Sequence, residues 1–212
     1  MSAVPSGVAT TLLTKLSSTW NPPMPPRPPF PDWQPYDAQG RRKYLTGQER
    51  DRFLKEACQL PAERQAFCHV LAYTGCRVSE AVILHLRQID TDGQAITFRT
   101  LKRRKEVYRT VPVPPQLVAR LLALPRAPCG HLWRMHRATA WDFVKATMER
   151  AGIAGPMASP KGLRHGFGIR AASKDVPVNL IQRWMGHASP LMTAVYLDAV
   201  GLEERQFASR MW

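Results

Sequence analysis

The chain has 212 residues, 44% of them hydrophobic, which suits one domain with an appendage or two small domains. Its net charge of +14, from 30 lysines and arginines against 16 acids, repels itself on a compact surface unless an anionic partner is expected, and nucleic acid is the commonest. No apolar run reaches membrane-spanning length, the N-terminus lacks the pattern of a signal peptide, and Cys58, Cys68, Cys76 and Cys129 form no C-x-x-C pair, so a cytoplasmic protein with free thiols is expected.

Residues 21 to 35, NPPMPPRPPFPDWQP, are more than half proline and favour extended polyproline conformation. Residues 1–40 are therefore expected to be an arm or linker, and residues 41–212 the domain. Thr46 and Glu49 are spaced as a capping box, so a helix starts near Gly47. Pro61 opens a second helix with Phe67, Val70 and Leu71 on one face, ended by Gly75. A third helix is expected through RVSEAVILHLRQI. The period then changes: GQAITFRT and VYRTVPV alternate around the basic turn LKRRKE and predict a β-hairpin. From Pro114 the helical pattern returns in PPQLVARLLAL, TAWDFVKATMERAG, PKGLRHGFGIRAASKD, PVNLIQRWMG and SPLMTAVYLDAV. The fold class expected is mainly α with a small antiparallel sheet.

Four stretches carry residues whose chemistry converges. In TGCRVSEA, Arg77 follows a glycine turn at a helix start and Glu80 lies one turn on, the arrangement of an arginine held still by a carboxylate so that its fork faces a phosphate. The hairpin turn crowds Lys102, Arg103, Arg104 and Lys105, with Arg109 on the returning strand. SPKGLRHGF sets Arg164 between Lys161 and His165, and MGHASPLMTAVY sets His187 nine residues before Tyr196. Each stretch taken singly has an ordinary reading as a surface ion pair, a solvated loop or packing.

In this order and spacing, the four stretches resemble the catalytic domain of the tyrosine recombinase (phage-integrase) family. TGCRVSEA resembles its first arginine box, Lys102 the hairpin lysine 25 residues on, KGLRHGF the second box and MGHASPLMTAVY the third. The resemblance implies the family's fold and a site-specific DNA recombinase that cuts and rejoins strands through a 3′-phosphotyrosine and a Holliday junction, without metal or cofactor. Arg77 and Arg164 would stabilise the transition-state charge, His187 would hydrogen-bond the same oxygens, and Tyr196 would be the nucleophile, activated by the positive field. Lys102, with Lys105 as its rival, would protonate the leaving oxygen. Glu80 would hold Arg77, and His165 would buttress Arg164. Arg103, Arg104, Lys105 and Arg109 would contact DNA phosphates. The second box departs from the family: Lys161 stands where histidine is usual, and it can serve as a base or as a phosphate clamp.

The arm is too short for the N-terminal DNA-binding domain of larger members, so the architecture resembles the small catalytic-domain-only recombinases. The partners implied are double-stranded DNA with specific sites, a homotetramer on synapsed DNA that trades the tail anchored by Leu202, Phe207 and Trp212, and an accessory DNA-bending protein, in a bacterial cytoplasm at the nucleoid. Two rival functions share the residues: a type IB topoisomerase, and an inactive DNA-binding regulator of the same fold.

Overall fold

The computed structural model describes residues 34–100, 107–125, 130–197, 209 and 211. The Pro-rich stretch up to residue 33, the hairpin cations Lys102, Arg103, Arg104 and Lys105, Cys129, and the tail anchors Leu202, Phe207 and Trp212 lie outside the described residues.

Helix α1 (Gly47–Ala57) begins at its capping box: Thr46 Oγ1 accepts the Glu49 amide at 3.3 Å, and the Glu49 carboxylate accepts the Thr46 amide at 2.9 Å. Glu49, Phe53 and Ala57, four apart, face inward. Glu49 also pairs with Arg42, which joins α1 to the preceding turn, where the Tyr36 and Tyr44 rings meet edge to face. Helix α2 (Ala62–Thr74) is buried at every residue from Ala66 to Ala72. A helix without a polar face belongs at the centre of a domain. Accordingly α1, α4 (Pro115–Leu122) and α6 (Pro160–Ser173) pack against it.

The third helix is much shorter than the sequence pattern suggests. Helix α3 (Val78–Val82) stops after five residues, and a 3-10 turn at Leu86–Gln88 and strand β1 (Ile89–Asp90) take up the rest. The cause is tertiary pairing. His85 forms an antiparallel bridge with His131, in which Leu86 donates to the Gly130 carbonyl at 3.0 Å and Leu132 to the Leu84 carbonyl at 3.1 Å. The β-branched Val82 and Ile83 favour that extended exit over another helical turn.

Strands β2 (Ala95–Thr100) and β3 (Val107–Pro112) form the expected antiparallel pair, and β1 adds a third strand in the order β1-β2-β3. Alternation turns Ile96, Phe98 and Thr100 of β2, and Arg109 and Val111 of β3, toward the interior. Helix α5 (Arg137–Arg150) buries Ala140, Phe143, Val144, Thr147 and Met148, the spacing of a single helical face. Phe67 of α2 meets Trp133 and Phe143 edge-on there. Helices α6 and α7 (Val178–Met185) enclose a second, smaller cluster of Tyr44, Ile169, Ile181, Met185 and Tyr196. Helix α8 (Leu191–Ala194) is a single turn, so Tyr196 falls in the turn that follows it. No helix among the described residues is long and apolar enough to cross a membrane.

Candidate active site

The site is built around one carboxylate. Glu80 sits in α3 with its side chain wholly buried, and its two oxygens accept four donors. Two come from Arg77, the backbone amide at 2.9 Å and NH1 at 3.0 Å, and two from Arg109, NH2 at 2.6 Å and NH1 at 3.1 Å. Four donors fill every lone-pair position a carboxylate offers. Burial alone would raise the Glu80 carboxyl, but the Arg109 hydrogen bonds and charge, with help from Arg77, outweigh it and hold the group below its usual 4.5. Arg77 keeps 21% of its side chain exposed, so a fixed guanidinium still faces outward. The Arg77–Glu80 contact is the one that their i, i+3 spacing leads one to expect.

Arg109 was expected at a DNA phosphate, and the structure corrects that. Its side chain is only 3% exposed, and besides Glu80 it reaches Thr100 Oγ1 at 3.2 Å and the Trp184 carbonyl at 2.8 Å. Strand alternation is the reason, since Arg109 shares its face of β3 with Val111 and stands opposite Phe98. Arg109 is an internal clamp that holds Glu80 and the end of α7.

Arg164 lies where two helices end. NH1 donates to the Gly75 carbonyl at the C-cap of α2, and NH2 to the Met185 carbonyl in the last turn of α7, each at 2.6 Å. Carbonyls at a helix C-terminus have no partner within the helix and carry the negative end of its dipole, so they suit a buried cation. Burial, and then the charge of Arg77, lower the Arg164 guanidinium to about 10, so it stays cationic at neutral pH.

His187 follows directly on α7. The helix ends in a Schellman motif, with Gly186 in the left-handed region at φ 63° and the His187 amide donating to the Gln182 carbonyl at 3.1 Å. Glycine is needed at 186, since a side chain would strain that conformation and crowd the Arg109 guanidinium, whose atoms lie 3.1 Å from a Cβ position. The His187 ring is buried, with Nδ1 2.8 Å from Thr193 Oγ1. Burial, followed by the charges of Arg164 and Arg77, pushes its pKa down to about 3. His187 is thus a neutral imidazole at ordinary pH.

The Tyr196 ring packs between α6 and α7, 2% exposed, with its hydroxyl 3.0 Å from His165 Nδ1. Gly168 makes the seat: a Cβ there would lie 2.7 Å from the Tyr196 ring and 3.0 Å from Met185 Sδ. The sequence led us to expect a phenol activated by the surrounding field. Instead burial wins and pushes its pKa up to about 12, while Arg164 and then Arg77 pull it down only in part. His165, expected to buttress Arg164, places its Nδ1 against the Tyr196 hydroxyl, while Arg164 donates to the Gly75 and Met185 carbonyls.

Lys161 occupies the first turn of α6, one turn before Arg164 and His165. A cation in the first turn is opposed by the helix dipole, so the helix itself gains nothing from it. Beside His187 and Arg109 a cleft of about 270 Å³ opens between the sheet and α7, lined by Thr100, Tyr108, Asn179, Gln182 and Arg183 among others. Thr100 and Val107, the residues on either side of positions 101–106, both line it. The cleft face of α7 drew no notice in the sequence, although Asn179, Gln182 and Arg183 at helical spacing were the signal for it.

A family model described as the phage integrase family matches residues 43–201. Among similar proteins, the tyrosine recombinase XerD of Mycobacterium tuberculosis is 33% identical over 153 residues, covering 65% of this chain and 48% of the relative. XerD of Bifidobacterium longum is 31% identical over 152 residues, covering 62% and 48%. The chain spans about half the length of these curated relatives. The crystal structure of XerA recombinase is 25% identical with a TM-score of 0.67, covering 79% of this chain and 64% of that one. The catalytic domain of bacteriophage HP1 integrase shares the fold at 24% identity and TM-score 0.60, over 73% of this chain and 86% of that domain.

Proposed function

Because the chain belongs to the phage integrase family, we propose that it is a site-specific DNA recombinase, with Tyr196 as the nucleophile that forms a covalent 3′-phosphotyrosyl intermediate. One observation carries the reading. Arg77, Arg164, His187 and Tyr196 come from α3, α6 and the ends of α7 and α8, yet they lie close enough that both guanidinium charges act on the imidazole and on the phenol. A phosphodiester entering between them brings an anion to Arg77, which shares Glu80 with Arg109, and to Arg164, which is seated on backbone carbonyls. Two fixed forks then stabilise the charge gathering on the non-bridging oxygens, and His187 donates to them as a neutral imidazole. Lys161 is a phosphate clamp from the α6 first turn. The leaving 5′-oxygen takes its proton from a lysine of the hairpin turn, Lys102 in our reading, because the residues bracketing that turn line the cleft beside His187.

The exchange of strands through a Holliday junction, a tetramer on synapsed sites that trades the tail, and an accessory DNA-bending protein complete the proposal. Arg103, Arg104 and Lys105 position phosphates. Binding then weakens steeply with salt, and replacing Arg103 or Arg104 lowers affinity alike for all sequences.

The test uses a library of end-labelled, nicked duplexes with a randomised core. Wild-type protein traps covalent adducts that survive denaturation and whose DNA converges on one sequence, whereas Tyr196→Phe traps none. Adducts without sequence convergence, together with relaxation of any supercoiled plasmid, would establish a type IB topoisomerase instead. No adduct with any duplex would leave a DNA-binding regulator.

A further inference from the structure

We infer that His165 is the base that takes the phenolic proton when Tyr196 attacks. The inference rests on the recombinase reading above and assigns a step that reading leaves open. The second box lacks its usual leading histidine and offers Lys161, so the imidazole nearest the nucleophile is of particular interest. His165 Nδ1 lies 3.0 Å from the Tyr196 hydroxyl. Both groups are buried, with 4% and 2% exposure, and a buried hydroxyl proton needs an acceptor. We assign Nδ1 as the acceptor, which makes His165 the Nε2–H tautomer, in hydrogen-bond contact with the proton it is to receive; the buried Nε2 then carries the ring's N–H at the cost of desolvating that donor. The two rings are held in that relation from both sides. His165 sits mid-helix in α6, and one turn on in the same helix Gly168 leaves the space that the Tyr196 ring fills.

The charges explain why transfer awaits DNA. The charges of Arg164, next to His165 in α6, and of Arg77 at the start of α3 act on Tyr196, and a further positive charge on His165 is unfavourable beside them, because Glu80, the carboxylate nearby, is already shared by Arg77 and Arg109. A bound phosphodiester contributes one negative charge, and its transition state places more on the non-bridging oxygens, so the imidazolium becomes tolerable as the nucleophile attacks. The step balances. The Tyr196 Oη–P bond forms, the Oη proton passes to His165 Nδ1, the P–O5′ bond breaks, and the 5′-oxygen takes a proton from the hairpin lysine. In the reverse reaction the imidazolium returns its proton to the departing phenolate.

Two measurements decide the matter, both on the full chain. Nitrogen NMR of the histidine rings, without DNA, reports the tautomer: Nε2–H on His165 supports the inference, and Nδ1–H overturns it. In the second, His165→Asn puts an amide at the Nδ1 position, which keeps a hydrogen bond to the phenol but cannot take its proton. With the duplex recovered as a wild-type adduct, His165→Asn should bind DNA normally and form adduct about 100-fold more slowly. Its rate should climb roughly tenfold per pH unit between about pH 7 and about pH 9, as direct ionisation of the phenol demands, unlike that of wild type. A 5′-bridging phosphorothiolate, whose leaving group needs no acid, should not rescue it. Wild-type speed in His165→Asn, or full rescue by the thiolate, would overturn the assignment. Failure of wild type to form any adduct counts against the recombinase reading instead, and the DNA-free tautomer still reports whether His165 accepts the phenol's hydrogen bond.

Discussion

Glu80 and Arg109 are joined through two hydrogen bonds of 2.6 and 3.1 Å, with side chains 0% and 3% exposed, and this buried pair anchors Arg77 on one side and the end of α7 on the other. Removing one member leaves the other's charge uncompensated in the interior. Glu80→Ala should therefore lower stability by about 3–5 kcal/mol, read from the denaturant midpoint. Replacing both, as Glu80→Leu with Arg109→Met, should recover part of that loss, because the fully buried Arg109 charge goes with its partner and the remaining Arg77, 21% exposed, can turn to water. Adduct formation should not recover, since Arg77 has lost the carboxylate that fixes its fork. Cleavage restored along with stability would show that Glu80 acts on the fold alone.

Acid should weaken the fold through His187. Its pKa is about 3 in the folded protein against an ordinary 6.5, so between those values the unfolded chain binds a proton that the folded chain refuses. The stabilisation is complete above about pH 6.5 and is lost as pH falls toward 3, at up to about 1.4 kcal/mol per pH unit. Glu80, depressed from 4.5, acts in the same direction at the lower end of the range. His187→Asn should flatten the curve between roughly pH 4 and pH 6, leaving a residual slope from His69, which burial also lowers. Denaturant midpoints measured across that range would show it, and equal slopes in the two proteins would contradict a neutral, buried imidazole.

Much of this arrangement was legible in the chain, and what was not has physical causes. The helix starts followed from Thr46 with Glu49 and from the prolines, because caps and fixed φ act locally. The inward turn of Arg109 was written in the alternation of VYRTVPV, where it shares a face with Val111, but its charge suggested a surface role. Helix α3 came out short because His131, 46 residues downstream, pairs with His85, and no local pattern signals such pairing. The contact of His165 with Tyr196 spans 31 residues and depends on the turn after α8 folding back onto α6. The spacing from His187 to Tyr196 marked both residues but could not show that the phenol would be seated in the interior.

Thr193 should prove a positioning residue for His187. Its hydroxyl, 1% exposed and 2.8 Å from Nδ1, donates to that nitrogen in our reading and so leaves the proton on Nε2, the atom free to meet a phosphate oxygen. Thr193→Val keeps the shape and removes the hydroxyl, at a cost of about 1–3 kcal/mol for the unpaired ring nitrogen. Adduct formation should slow by roughly tenfold, less than the 10²–10³ typical of losing an oxyanion donor outright. DNA affinity should hold. Thr193→Ser, which retains the hydroxyl, should restore most of the rate, and failure to do so would point to a packing role for the threonine.

Gly168→Ala tests the seat of the nucleophile. The added methyl would stand 2.7 Å from the Tyr196 ring and 3.0 Å from Met185 Sδ. The flexible thioether can move aside, but the ring is fixed between α6 and α7, so the phenol has to give way. Overpacking of this kind costs about 1–3 kcal/mol. As the ring leaves its buried position, its pKa should fall from about 12 toward the ordinary 10, visible as tyrosinate absorbance appearing at lower pH than in wild type. Tyr196→Phe carrying the same alanine should lack that shifted absorbance, which assigns it to this tyrosine among the five in the chain. An unchanged titration in Gly168→Ala would mean that the ring and the helix adjust together and that the small residue at 168 is not what holds the phenol in place.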